Sequence, residues 1–298
     1  MTSIRKPAVG LLGSTGNLGS IFLREIHQLR ENSDYIVRRI GRPEKISKDF
    51  NITNEGFITT SGGEFPNVIV NLSNSYFPNP APKQILEMET TILGVAKAIS
   101  NSIKESGCSV VSASTYFQYC PIEHRPWSHY SELKMVAKEI IRTTAESCGT
   151  NFTDFVLYDN YGGLQREKFV DFLERSLSNG EHIDCTEGGQ VLNLTHVSDL
   201  AVAFISEVDQ LVKTKSKGSQ TYELKSQFTV NLRELVLKAE RSSGRRASIN
   251  WGAIPYRKRE VFELWETGFS RPSGWRPEIE FESYIAGKFP KEVKMGVE

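Results

Sequence analysis

The stretch Ala8-Val9-Gly10-Leu11-Leu12-Gly13-Ser14-Thr15-Gly16-Asn17-Leu18-Gly19 decides the fold. Its first five residues are a short apolar run, the mark of a buried strand. Immediately after the glycines, Asn17 to Arg30 sets Leu18, Ile21, Phe22, Ile26 and Leu29 at helical spacing. In a strand–turn–helix of this kind each glycine has a mechanical reason. The turn must be tight, the backbone must let a pyrophosphate approach, and the helix must pack closely on the strand, with the diphosphate seated on free N–H groups at the helix start. Gly13, Ser14, Thr15, Gly16, Asn17, Leu18 and Gly19 are therefore expected to cradle a dinucleotide, the alternative being a glycine-rich turn without a ligand.

Working outward, further strands are expected over Tyr35–Ile40, Gly56–Thr60, Asn67–Leu72, Ser109–Ser112 and Phe152–Leu157. Long amphipathic helices are expected over Lys83–Ser106 and Tyr130–Cys148. Strands alternating with helices imply crossover connections and a parallel sheet covered on both faces, a doubly wound, Rossmann-type α/β architecture. Beyond Asp159 the rhythm changes to glycine-rich turns, short strands (Val191–Leu194, Gln220–Leu224, Ser248–Trp251) and helices near Glu167–Leu177, Val197–Val212 and Leu232–Ser242. The expectation is a dinucleotide-binding domain over residues 1–160 and a smaller C-terminal α/β lobe over 161–298, with chain crossings between the two.

Composition narrows the function classes. The 298 residues carry 36 Lys+Arg against 36 Asp+Glu, so the net charge is zero and no cationic surface is expected for nucleic acid or anionic lipid. No stretch nears the ~18 apolar residues of a membrane span, and the N-terminus shows no signal-peptide pattern, so a cytoplasmic protein is expected. Cys108, Cys120, Cys148 and Cys185 form no C-x-x-C pair and have no His at ligand spacing, which argues against a metal site or a disulfide framework. Cys148 and Cys185 read as small packing residues.

Two further patterns carry chemistry. NAD binders place an acid at the end of the second strand for the ribose hydroxyls. Here Tyr35-Ile36-Val37-Arg38-Arg39-Ile40-Gly41-Arg42 has none, and Arg42 suits a 2′-phosphate, which favours NADP(H) over NAD(H). Tyr130 and Lys134 stand at i and i+4 on one helical face. An ammonium beside a phenol lowers its pKa from about 10 and makes it a usable acid and base. A hydroxyl partner is expected from Ser112-Ala113-Ser114-Thr115, with Ser114 the first choice and Ser112 and Thr115 the fallbacks.

The glycine loop, the serine-rich segment and the Tyr130/Lys134 pair together resemble the extended short-chain dehydrogenase/reductases that act on nucleotide sugars, the NAD-dependent epimerase/dehydratase-like group. The second half is similar as well. Leu157-Tyr158-Asp159-Asn160-Tyr161-Gly162-Gly163 resembles the family's D-x-Y-G-P turn beside nicotinamide and substrate, with Gly163 in place of the Pro. Gly188-Gly189-Gln190 through Asp199-Leu200 resembles its G-E-Q segment, and Trp251 to Arg257 with Gly274-Trp275-Arg276-Pro277 resembles its C-terminal G-A-I-P-Y-R and G-W-x-P. The nearest branch is the abequose/paratose-synthase-like 4-keto-sugar reductases.

What the resemblance implies can be stated residue by residue. Tyr130, Lys134 and Ser114 would be catalytic. Cofactor contacts would come from the glycine loop, Arg42, Leu72, Ser73, Tyr130, Lys134, Tyr158, Asn160 and Tyr161. Substrate contacts would come from Ser114, Thr115, Asn160, Lys168, His196 and Arg257, with Lys168 and Arg257 facing the diphosphate of a nucleoside-diphosphate sugar. Where the family often relays protons through an Asn, this chain has Thr91. Its dehydratases follow the hydroxyl residue with Asp-Glu, whereas Thr115-Tyr116 follows Ser114, so that elimination lacks its carboxylates. The implied activity is NADPH-dependent reduction of a nucleoside-diphosphate 4-keto-deoxysugar. An NAD-retaining 4-epimerase and a non-catalytic nucleotide-binding regulator are the alternatives. Relatives also pair their two long helices, which implies a homodimer through a four-helix contact.

Overall fold

Strands that are apolar on both faces must be covered on both faces, and that requirement organises this chain. The computed structural model describes residues 6–29, 34–41, 50–77, 79–121, 126–163, 167–213 and 218–289. In chain order the strands are β1 (Ala8–Leu12), β2 (Ile36–Gly41), β3 (Phe50–Ile52), β4 (Ile58–Thr59), β5 (Val68–Asn71), β6 (Ser109–Thr115), β7 (Phe152–Leu157), β8 (Asp159–Tyr161), β9 (His182–Asp184), β10 (Val191–His196), β11 (Ser219–Leu224), β12 (Thr229–Asn231) and β13 (Ser248–Asn250). The helices are α1 (Asn17–Leu29), α2 (Pro82–Ser106), α3 (His129–Ser147), α4 (Phe169–Asn179), α5 (Val197–Lys213), α6 (Leu232–Ser243) and α7 (Phe281–Lys288), with one 3-10 turn at Tyr116–Tyr119.

The chain divides into two compact units. The first comprises residues 1–157, 200–224 and 265–275. Its sheet runs β11-β7-β6-β5-β1-β2-β3-β4, parallel throughout except for the terminal β3–β4 pair. The expected doubly wound sheet is therefore present. One face packs Ile69 and Val110 against Met88, Ile99, Ala137 and Ile141 of α2 and α3, all buried. α2 enters through Pro82, whose missing N–H costs nothing in a first turn, and stops at Gly107, whose φ of +67° sends its N–H back to the Ile103 carbonyl. α5 belongs to this unit from Leu200 onward, and Phe204 meets Phe155 of β7 edge-on, with 4.8 Å between ring centroids.

Three local expectations change. β6 continues to Thr115 rather than ending at Ser112, because its ladder with β7 extends to the Thr115–Leu157 pairing. The strand expected over Gly56–Thr60 shortens to Ile58–Thr59, and β3, not foreseen, pairs with it. Cys185 is buried as expected, but Cys148 is exposed, since it lies just past the last residue of α3 instead of on its packed face.

The second unit comprises residues 158–199, 225–264 and 276–298. β10 is central in a three-stranded sheet, parallel to β8 and antiparallel to β12, and β9 pairs with β13 in parallel. Leu173, Leu177, Leu194, Leu235, Phe281 and Ile285 form its core. Among the described residues no helix is long and apolar enough to cross a membrane.

Candidate active site

The glycine loop lies between β1 and α1. Gly13 takes φ of +78°, and a Cβ there would stand 2.5 Å from the Leu72 carbonyl oxygen and 2.7 Å from the Ser73 nitrogen, so the end of β5 closes directly on the turn. A Cβ at Gly19 would stand 2.1 Å from the Gly13 carbonyl oxygen, which is the close packing of helix on loop. Gly16 differs. A Cβ there would meet only that same oxygen, at 3.4 Å among the described residues, so the space over the helix start is open where a diphosphate needs it. Packing explains two of the glycines; room for a ligand explains the third. Leu72 is buried, and the Ser73 hydroxyl donates to Asn71 Oδ1 at 2.6 Å. Arg42 lies outside the described residues.

The start of α3 is fixed by a reciprocal serine cap. The Ser131 N–H donates to Ser128 Oγ at 3.3 Å, and the Ser128 N–H donates to Ser131 Oγ at 2.8 Å. This sets Tyr130 in the first turn, half-buried, with the Tyr76 ring edge-on at 5.0 Å. One turn on, Lys134 is buried, and its surroundings draw its pKa down from the ordinary lysine value to about 8. Burial is the cause; the nearby Asp154 carboxylate works in the opposite direction.

Side chains of a strand alternate between faces, so Ser112 and Ser114 of β6 share the face that α3 covers while Thr115 turns to the other. Ser112, Ser114, Lys134 and Thr91 line one cavity, so the structure brings together the first-choice hydroxyl, one fallback, the lysine and the residue at the relay position. Thr115 is not brought to it, and its N–H instead donates to the Gln118 side chain at 2.8 Å.

Sequence reasoning missed Asp154 on β7, opposite Ser112 in the ladder. It is fully buried, and the Ser114 hydroxyl donates to its Oδ2 at 2.7 Å. Burial raises this carboxyl to about 6, against the Ser114 hydrogen bond and the charges of Lys138 and Lys134. Lys138, one turn beyond Lys134, donates to the Tyr119 hydroxyl at 3.0 Å. A signal for both existed: Phe152-Thr153-Asp154-Phe155-Val156-Leu157 holds a single acid in an apolar run, and Lys138 continues the i, i+4 row of Tyr130 and Lys134.

In the second unit, Lys168 donates to Asn160 Oδ1 at 2.6 Å, just ahead of α4. The neighbouring Asp159 carboxyl is raised to about 6 by burial, opposed by the Lys168 charge and by the Asn193 N–H, which donates to Oδ2 at 3.3 Å. Tyr158 is buried with the Lys225 ammonium 5.9 Å from its ring centre. Tyr161 packs edge-on against His196 at 5.1 Å and Phe281 at 5.5 Å, and its hydroxyl donates to the Ile279 carbonyl at 2.9 Å. His196 is buried in this aromatic cluster, and its Nδ1 accepts the Ser198 N–H at 3.2 Å. That packing suits a core histidine. Arg257 is exposed; next to it the Tyr256 hydroxyl accepts the Gly189 N–H at 2.8 Å.

No curated protein matches the chain by sequence. Among solved structures, MoeE5 in complex with UDP-glucose and NAD superposes with a TM-score of 0.70 at 17% identity, covering 95% of this chain and 97% of that one. UDP-glucuronic acid 4-epimerase from Bacillus cereus, in complex with UDP-glucuronic acid and NAD, gives 0.71 at 13% identity over 95% and 98%. UDP-glucose 4-epimerase from Thermus thermophilus, in complex with NAD, gives 0.68 at 17% over 96% and 100%. At these identities the likeness is one of fold. The model of the NAD dependent epimerase/dehydratase family matches residues 9–221, from β1 into β11 and across the glycine loop and the Tyr130/Lys134 pair, and the chain belongs to that family.

Proposed function

We propose that this protein reduces a nucleoside-diphosphate 4-keto-deoxysugar to the 4-hydroxy sugar with NADPH. The observation that carries the reading is the placement of Lys134 and Ser114 on one cavity, with Tyr130 a single turn before Lys134. The Gly13–Gly19 loop would hold a nicotinamide dinucleotide, whose chemistry when bound would be hydride transfer. Tyr130 delivers its phenolic proton to the sugar oxygen. Lys134, an ammonium below pH of about 8, stabilises the phenolate left behind. Ser114 polarises the keto oxygen by hydrogen bonding. Lys168 and Arg257 of the second unit are the proposed cations for the diphosphate.

NADP(H) rather than NAD(H) is proposed because the sequence from Tyr35 to Arg42 has Arg38, Arg39 and Arg42 and no acid. An NAD-retaining 4-epimerase is the second reading, favoured by the structurally similar 4-epimerases in complex with NAD. One experiment separates the two. Purified protein is incubated with dTDP-, CDP-, GDP- and UDP-linked 4-keto-6-deoxysugars, with NADPH consumption and bound nucleotide both measured. Stoichiometric NADPH oxidation supports the reductase. Protein that carries NAD through purification and interconverts 4-epimers without added cofactor overturns it.

A homodimer through α2 and α3 belongs to the same proposal. Leu86 of α2 and Val136 and Ile140 of α3 are exposed apolar residues on those two helices. Light scattering that finds a monomer at high concentration would remove that part.

A further inference from the structure

A serine hydroxyl has one proton, and in this protein the proton of Ser114 is given to Asp154 at 2.7 Å. A hydroxyl so committed offers an incoming keto oxygen only lone pairs. Among the described residues the other carboxylate oxygen, Oδ1, is buried without a hydrogen-bond partner, and Asp154 lines the same cavity as Lys134 and Ser114. A buried carboxylate oxygen with no donor is costly to maintain for packing alone.

We propose that Asp154 is a positioning residue that decides which way the Ser114 hydroxyl points: the ionised carboxylate holds the proton away from the substrate, and the protonated carboxyl releases it. The step balances as a simple proton uptake. Asp154 takes one proton from solvent, becomes a neutral acid able to donate to Ser114 Oγ, and the Ser114 O–H turns to the substrate oxygen. No bond to carbon changes. The ionised state therefore suits a substrate hydroxyl, which can donate to Ser114, and the protonated state suits a substrate ketone, which must accept.

The groups facing Asp154 set where this happens. From α3 come Lys134 and Lys138, which favour the carboxylate, and Glu139, which opposes it. From the 3-10 turn comes Tyr119, whose phenol is held above its ordinary range by burial first and then by the Asp154 charge. The Ser114 bond itself favours the carboxylate, and burial outweighs all of these, leaving a carboxyl that titrates near 6.

The inference rests on the reductase reading for its kinetics but not for its titration, and the test uses both. Aspartate-carboxyl ¹³C NMR of the ligand-free protein should show a carboxyl titrating near 6 that is absent from Asp154→Asn and moves to higher pH in Ser114→Ala, which removes the donor. In the keto-sugar assay, wild-type turnover should fall about tenfold per pH unit above that midpoint, while Asp154→Asn, whose amide can donate to Ser114 permanently, should stay flat across the same window. A Ser114→Ala titration curve that coincides with wild type overturns the coupling, even if Asp154→Asn does not fold. So does a pH profile shared by wild type and Asp154→Asn. If the carboxyl titration moves as expected and no keto sugar is reduced, the reductase reading fails and the coupling stands.

Discussion

Two carboxyl groups five residues apart, Asp154 on β7 in the first unit and Asp159 on β8 in the second, are raised by burial to the same value of about 6. Their neighbours differ in kind. Asp154 accepts from a hydroxyl, a group whose proton has somewhere else to go. Asp159 accepts from the Asn193 backbone N–H, which is fixed by the sheet; it faces the Lys168 ammonium much as Asp154 faces Lys134 and Lys138. The same carboxyl chemistry therefore has two settings. In the first unit a change of protonation would, on the proposal above, redirect the Ser114 hydroxyl; in the second the carboxyl holds no rotatable donor of that kind.

That contrast predicts that changes in the first unit act on the chemical step and changes in the second on binding. The largest effect is expected from Tyr130→Phe, which should lower kcat by roughly 10²- to 10⁴-fold while NADPH affinity, followed by cofactor fluorescence, stays unchanged. Equal loss of cofactor affinity would mean that Tyr130 serves binding instead.

Next in size is stability. The native carboxyl of Asp154 binds its proton more tightly than the unfolded one, so its contribution is fully present below pH of about 4 and is lost as pH rises through about 6. Asp154→Asn keeps the neutral form and should be more stable than wild type by about 3 kcal/mol at neutral pH, with the gap closing toward pH of about 4. Urea midpoints at the two pH values measure it, and a gap independent of pH would show that the carboxylate is not the cause.

Lys168→Met should raise KM for the nucleotide sugar about tenfold with kcat nearly intact, because a diphosphate contact made equally in ground and transition states affects binding alone. A kcat loss as large as that of Tyr130→Phe would erase the distinction between the units. The smallest effect is expected from Asp159→Asn. It should stabilise in the same pH direction as Asp154→Asn but by less, since Asp159 is only partly buried as a residue and solvent screens its charge. Midpoints measured in parallel would break the comparison if the two variants gained equally.

The parts of the site legible in the sequence are the local ones. Gly13, Gly16 and Gly19 stand at fixed offsets around one turn, and Tyr130 and Lys134 share a face by helical spacing, so neither needs the tertiary structure to be recognised. Asp154 stands out in the sequence only as a lone acid in an apolar strand; its pairing with Ser114 is not legible there, because the two are 40 residues apart and only the β6–β7 register brings them together. The short strands β3, β8, β9 and β12, three residues each, are too brief for a period of two to register. α7, with Phe281 and Ile285 buried one turn apart, is too short to rise above its surroundings.

The interleaving of the two units has a consequence for how the chain is made. β11 closes the outer side of β7, but it is translated only after residues 158–199 of the second unit have appeared. Until then a nascent first unit presents β7 as an open edge with unpaired backbone groups, the kind of surface that recruits other chains. A fragment cut at residue 160 would freeze that exposed intermediate. Expressed alone, it should aggregate, and a shorter path to a soluble dinucleotide-binding piece would be to restore residues 200–224 behind a linker.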